Sequence, residues 1–154
     1  MFRSGLPAWN DREYDRRLAA QERGEMVQVV AWDGERAVGK AMVLFPGEEE
    51  WSVSAEREGC AEIRDVGVAE DHRRHGVATA MIASLESAAA HHGMTRIGLS
   101  VALSDDDAPA RALYEKLGYA FAHGPFISST DLLDDDGRPI HVGAVMSYLT
   151  KPLR

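Results

Sequence analysis

The spacing of apolar residues changes period several times along this chain, and each change predicts an element. Leu6 to Arg23 carries helical spacing, with Tyr14, Leu18 and Gln21 on one face and Gly24 as a stop. Met26 to Trp32 is rich in β-branched residues, Asp33-Gly34 is a hairpin turn, and Arg36 to Phe45 resumes the strand pattern until Pro46-Gly47. Glu48-Glu49-Glu50 reads as a solvated loop. Glu62 to Val68 predicts a strand, and Thr79 to His92 a helix with Met81, Ile82, Leu85 and Ala89 at core spacing and Gly93 as its stop. Arg96 to Leu103 alternates, with Ile97, Leu99, Val101 and Leu103 on one side. Asp107 suits the N-cap of a short helix that tolerates Pro109 in its first turn and closes at Gly118. Tyr119 to Ser129 and His141 to Thr150 predict two last strands joined across Asp134-Asp135-Asp136-Gly137. This order predicts an α/β (mixed α+β) domain whose central strand–helix–strand is a parallel crossover.

Composition narrows the class. The chain has 154 residues, 45% of them hydrophobic, with no repeat and no linker long enough to part domains, so one domain over 1–154 is expected. Lys and Arg number 17 against 25 Asp and Glu, a net charge of −8, which argues against nucleic acid as a partner. No stretch approaches the roughly 20 apolar residues of a membrane span, and no signal peptide opens the chain. The single Cys60 permits no internal disulfide and reads as a small buried residue, in keeping with a cytoplasmic protein.

Chemistry concentrates in Glu62-Ile63-Arg64-Asp65-Val66-Gly67-Val68 and in Arg73-Arg74-His75-Gly76-Val77-Ala78, which opens a helix. Such a loop can cradle an anion. Gly76 admits close backbone approach, Ala78 keeps the first turn small, and unpaired N–H groups at the helix start point outward. Arg73, Arg74 and His75 add positive charge to those donors. A solvated basic turn between strand and helix accounts for the same residues. A nucleoside-triphosphate loop is disfavoured, because no Gly-Lys-Ser/Thr follows.

Arg73 to Ala78 resembles the Gln/Arg-x-x-Gly-x-Gly/Ala signature of the GNAT superfamily of N-acetyltransferases. Ala110-Arg111-Ala112-Leu113-Tyr114-Glu115-Lys116-Leu117-Gly118-Tyr119 resembles the family's helix ending in Leu-Tyr-Glu-Lys-Leu-Gly-Phe/Tyr. The likeness spans roughly Met26 to the C-terminus. It implies the acyl-CoA N-acyltransferase fold, a central mixed twisted sheet flanked by helices, with acetyl-CoA as co-substrate, an amine as acceptor and no metal. By the same resemblance Arg73, Arg74, His75, Gly76, Val77, Ala78 and Thr79 grip the pyrophosphate, and Val66, Gly67 and Val68 pair with the pantetheine arm. Asp107 stands seven residues before Tyr114 (114 − 107), where many members carry a coenzyme-contacting Asn. An Asp cannot donate as that amide does, and a helix N-cap is its competing role. Family members begin with a strand before the first helix, whereas Met1-Phe2-Arg3-Ser4-Gly5 is too short and polar to supply most of one. Either the start is trimmed, or another segment or a second subunit, as in a homodimer, would cover that sheet edge.

Direct acyl transfer needs a base for the ammonium, donors for the oxyanion and an acid for the thiolate. Glu62 lies fourteen residues before Gly76 (76 − 62), the offset of the catalytic glutamate in histone-type members, within a similar Ala-Glu-Ile run. It is the expected base, with a solvent-facing charge at a strand end as the alternative. Some relatives place the base two residues later, where this chain has Arg64, which cannot accept a proton at neutral pH. Strand alternation puts Glu62, Arg64, Val66 and Val68 on one face, and the backbone near Val66 would donate to the carbonyl oxygen. Tyr114 is the expected acid, with a core tyrosine at a helix end as the alternative.

Weaker constellations fall away. Gly98-Leu99-Ser100 lies inside an alternating strand rather than at a nucleophile turn, and His72 with His75, or His91-His92, lacks other ligands at metal spacing. The acceptor would enter near Trp9, Tyr14, Trp32, Phe126 and Ser128 to Asp131, where Asp131 or Glu48 to Glu50 could attract a cationic amine. Competing functions are a non-catalytic acyl-CoA-binding or sensor module and an acetyltransferase of protein lysines or N-termini.

Overall fold

Nearly every predicted change of period becomes an element boundary. The computed structural model describes residues 11–45, 59–133 and 136–154, with the side chains of 15–45, 59–129 and 136–154. In chain order the elements are α1 (Asp11–Glu22), β1 (Met26–Asp33), β2 (Arg36–Leu44), β3 (Cys60–Val68), α2 (Val77–His91), β4 (Arg96–Ala102), α3 (Ala108–Lys116), β5 (Ala120–Leu133) and β6 (Pro139–Pro152). Short 3₁₀ turns at Glu70–His72 and Asp105–Asp107 precede α2 and α3. The class is the expected mixed α+β, strands with helices packed on them. Trp9 and Glu48 to Glu50 lie outside the described residues. Among the described residues no helix is long and apolar enough to cross a membrane.

The chain divides into two compact units, the first comprising Met1–Ile97 with Pro152–Arg154, the second Gly98–Lys151. In the first unit β1, β2 and β3 are antiparallel neighbours, β1 and β2 forming a hairpin from Met26↔Leu44 to Asp33↔Arg36. Opposed residues share a face of the sheet. Met42 and Leu44 face α1, where Ala20, Met26, Met42 and Leu44 form a buried cluster. The other face receives α2: a Cβ on Gly39 would come within 2.9 Å of Val77 Cγ1 and 3.0 Å of Met81 Sδ, so glycine sets the approach of helix to strand. Helices on both faces explain why β2 is buried from Ala37 to Leu44, Lys40 included. In α2 the buried residues are Met81, Ile82, Leu85 and Ala89, as their spacing predicts.

The inner face of α1 differs from expectation. Leu18 is exposed, while Arg17 and Ala20 point inward. The helix approaches β1 and β2 through a small side chain and an arginine stem, so a count of apolar positions selects the wrong face.

In the second unit the strand order is β4, β6, β5. β5 and β6 pair from Ala120↔Thr150 to Leu133↔Pro139, overrunning their predicted ends, with register breaks on either side of His123. Between them the chain kinks at Gly124, whose φ of +131° favours glycine. The alternation of β4 stops at Val101, since Leu103 lies past the strand end and is exposed. Gly98 is the flat spot in β4 on which Tyr148 lies: a Cβ there would stand 2.5 Å from Tyr148 Oη and 2.7 Å from Cζ. Tyr148 is among the most deeply buried large side chains and cannot retreat without opening the core. Gly98→Ala is therefore expected to lower stability by about 1–3 kcal/mol through displacement of that ring. Chemical denaturation with an unchanged m-value checks it, and an equally stable variant refutes it.

Candidate active site

The β3 strand is buried from Cys60 to Ile63 and opens to solvent at Arg64. Glu62, 3% exposed, sits opposite Leu44 and so looks toward the α1 side. Two residues on, Arg64 shares that face and reaches back, its Nε 2.7 Å and its Nη2 2.5 Å from Glu62 Oε2. The solvent-facing alternative for Glu62 is thus not what the fold builds. The carboxylate is inside, held by a charge-assisted contact to its neighbour.

Immediately after this pair the register slips. Met42 faces Arg64, but Lys40 faces Gly67, so three steps on β3 (67 − 64) match two on β2 (42 − 40). The extra residue makes a β-bulge at Asp65-Val66, and Asp65 takes the left-handed φ of +55°. An aspartate tolerates that conformation better than most residues. The bulge overturns the simple alternation. Gly67 joins the face of Glu62 and Arg64, whereas Val68, opposite Gly39, lies on the α2 face and Val66 goes with it. Three residues that the sequence did not single out gather here. Arg17 Nη1 lies 2.7 Å from Asp65 Oδ2 and 2.9 Å from Met42 Sδ. Lys40, 5% exposed, has its pKa lowered by burial and, to a lesser extent, by Arg17, while Asp65 opposes the shift.

The predicted anion loop follows β3 directly. Arg73 Nε donates to the carbonyl of Val68 at 3.2 Å, tying the loop to the strand end. Arg74 (φ +63°) and Gly76 (φ +81°) are both left-handed, the latter at the N-cap of α2. Alternating handedness of this kind turns successive N–H groups into one concavity. The first helical bond runs from Ala80 N to Gly76 O, so the N–H groups of Val77, Ala78 and Thr79 have no acceptor within the helix. No acidic residue stands in that first turn, and Arg73, Arg74 and His75 are exposed beside it. These residues fit an anion such as the coenzyme pyrophosphate.

His72, just before the loop, has a carboxylate on each ring nitrogen: Asp71 Oδ1 at 2.9 Å from Nδ1 and Asp33 Oδ2 at 2.8 Å from Nε2. Only the imidazolium can donate to both. Arg36 completes the group with two bonds to Asp71, at 2.7 and 3.2 Å. The β1–β2 turn is thereby tied to the start of the anion loop. Isolated histidines and aspartates 39 residues apart carry no such signal in the sequence.

In the second unit Tyr114 is buried on α3, its ring edge-on to Tyr119 with centroids 6.0 Å apart. Burial, and then the charge of Asp107, push its phenol pKa upward, so it keeps its proton at neutral pH. Asp107 stands at the N-cap position of α3 with Pro109 in the first turn, but its side chain makes no cap bond. Its Oδ2 accepts instead from Ser104 Oγ, which spends the carboxylate on the preceding turn. Arg111 closes that turn by donating to the carbonyls of Ala102 and Ser104. Of the aromatic residues expected near the acceptor, Trp32 is exposed on β1, and Phe126 is half-buried 5.4 Å from the ring of His123.

A strand ending in a bulge, a basic left-handed loop and a helix N-terminus together make a strand–loop–helix site suited to an anionic ligand. The sequence profile of the Acetyltransferase (GNAT) family matches residues 2–119. The chain belongs to the GNAT family and is an acyl-CoA N-acyltransferase. Among solved structures it is similar to the N-acetyltransferase of Staphylococcus aureus Mu50, with TM-score 0.68 and 14% identity, covering 95% of this chain and 79% of that one. The ribosomal-protein-S18-alanine N-acetyltransferase of Escherichia coli gives 0.60 and 20%, covering 98% and 81%. The PaiA N-acetyltransferase of Thermoplasma acidophilum in complex with coenzyme A gives 0.66 and 10%, covering 92% and 70%. Identities this low bear on the fold alone. No curated protein matches the sequence.

The ion cluster beside the loop titrates measurably. His72 has its pKa raised above the ordinary 6.5 by its bonds to Asp33 and Asp71, so its stabilisation is present below 6.5 and lost as pH rises through the raised value. Asp71 is held well below the ordinary 3.8 by Arg36 and His72, so its share is present above 3.8 and lost as pH falls. The cluster is expected to be strongest between those limits. An NMR titration of His72 should show a midpoint above 6.5 that falls on Asp33→Asn, and a midpoint indifferent to that change refutes the pairing.

Proposed function

We propose that the chain is an acetyl-CoA-dependent N-acetyltransferase that passes an acetyl group directly to a primary amine of a small molecule. The buried carboxylate of Glu62, three residues before the bulge at Asp65, carries this reading. In it, the loop Arg73–Thr79 holds the pyrophosphate through backbone N–H groups and positive charge, and Val66, Gly67 and Val68 run beside the pantetheine arm. Asp107, with acceptor oxygens only, adds at most an accepted hydrogen bond from the coenzyme.

Glu62 takes a proton from the incoming ammonium, directly or through one water. The amine lone pair then attacks the thioester carbon, and the C=O pair moves onto oxygen, where backbone N–H groups at the bulge stabilise it. Collapse restores C=O and breaks C–S, and the nitrogen, cationic after attack, loses its second proton to water to leave the neutral amide. Tyr114 gives its phenolic proton to the departing thiolate and regains one from solvent. The raised pKa of Tyr114 suits this role, since the group stays protonated until a strongly basic partner forms beside it.

Thiol release from acetyl-CoA over a panel of diamines, aminoglycosides and peptide amines tests the reaction. Glu62→Gln should lower kcat by about 10²-fold or more while coenzyme A binding by calorimetry stays unchanged. Tyr114→Phe should cost about tenfold in kcat with little change in KM. Coenzyme binding without thiol release for any amine would instead mark a sensor module, and turnover confined to peptides a protein acetyltransferase. An undiminished Glu62→Gln rate removes Glu62 as the base.

A further inference from the structure

The bulge that redirects β3 is held by groups that the reaction does not consume. Asp65 occupies the extra position at φ +55°, and its carboxylate is the part of the bulge that leaves the sheet. It meets Arg17 at 2.7 Å, and Arg17 is anchored: its side chain is 10% exposed, and Nη1 also lies 2.9 Å from the buried Met42 Sδ. Met42 is the residue opposite Arg64, and Lys40, opposite Gly67, is buried on the same face. The ion pair therefore spans the register slip from above, between the β2 residues that mark its two sides. Without a partner, an aspartate would gain nothing from the left-handed conformation, which is less favourable than that of an ordinary strand residue. Desolvation of Lys40 further favours a carboxylate close by, because a buried cation is stable only with compensating charge.

We propose that the Arg17–Asp65 pair is a positioning clamp, by which α1 holds the β3 bulge in the shape that aims the Val66 and Gly67 backbone at the acyl carbonyl. Neither residue touches substrate in this scheme. The aiming part rests on the acetyltransferase reading, whereas the clamping part stands on the geometry of β2, β3 and α1 alone. The clamp couples an N-terminal helix to the backbone donors of β3. An error of a fraction of an ångström in those donors would fall on the transition state more than on ground-state binding.

Two substitutions separate charge from backbone shape. Asp65→Asn removes the charge and keeps a side chain that accepts positive φ. Arg17→Met removes the guanidinium and keeps an apolar stem over Met42. Each should lower kcat about tenfold with KM for acetyl-CoA within about twofold, and the double variant should be no slower than the worse single one. Arg17→Lys should recover most of the rate. Amide hydrogen exchange of Val66 and Gly67 in the ligand-free protein should accelerate about tenfold in both single variants. That exchange needs no turnover, so a wild type that acetylates nothing sinks the functional reading while the clamp is still judged by exchange. Unchanged exchange overturns the clamp. Accelerated exchange with kcat intact overturns the aiming role, as do losses that multiply in the double variant. Asp65→Asn keeps the size of a side chain that is 41% exposed, so it carries the test should Arg17→Met fail to fold.

Discussion

One inserted residue in β3 governs the geometry of the first unit. Before the bulge, Glu62 and Arg64 face α1; after it, Val68 faces α2 and the strand delivers its end to the loop at Arg73. A strand with unbroken pairing would place Gly67 and Val68 on the opposite faces and bury donors in the ladder. Cost and benefit are local. The slip forgoes ladder bonds and puts a non-glycine residue at positive φ, and it is offset by an ion pair and by β2 packed on both faces.

Electrostatics follow the same economy of placement. The chain is acidic on average, yet two carboxylates near the loop are committed: Asp33 and Asp71 to His72, and Asp71 again to Arg36. That leaves Arg73, Arg74 and His75 beside the N-terminus of α2 with no acid in its first turn. An anion arriving there meets helix dipole and side-chain charge of one sign, while the charge of Asp33 and Asp71 is already neutralised. The net charge of −8 describes the molecule and not this site.

Much of the fold was legible because the signals are short-range. The 3.6 period of Met81, Ile82, Leu85 and Ala89, the turns at Asp33-Gly34 and Gly76, and the alternation of β4 each depend on a few neighbouring residues. The basic loop stood out by its residues, and the family resemblance pointed to Glu62 and Tyr114, whose roles remain the proposal made above. The misreadings share a cause. Period alone places Leu18 inward, but α1 approaches through Ala20 and Arg17, because what lies across the interface decides which face fits. Val66 was assigned to the face of Glu62, because alternation cannot count a residue that pairs with nothing.

By itself, then, the amino-acid order determined the element sequence, the basic turn before α2 and the family, all of which are written in local periods and contiguous motifs. Only the tertiary structure decided that Glu62 is buried, that Asp107 bonds Ser104 instead of capping α3, and that Arg17 reaches Asp65. These outcomes join residues up to 48 positions apart (65 − 17) through the register of strands and the packing of a helix. No local pattern encodes them, because a register is a relation between segments and not a property of either one.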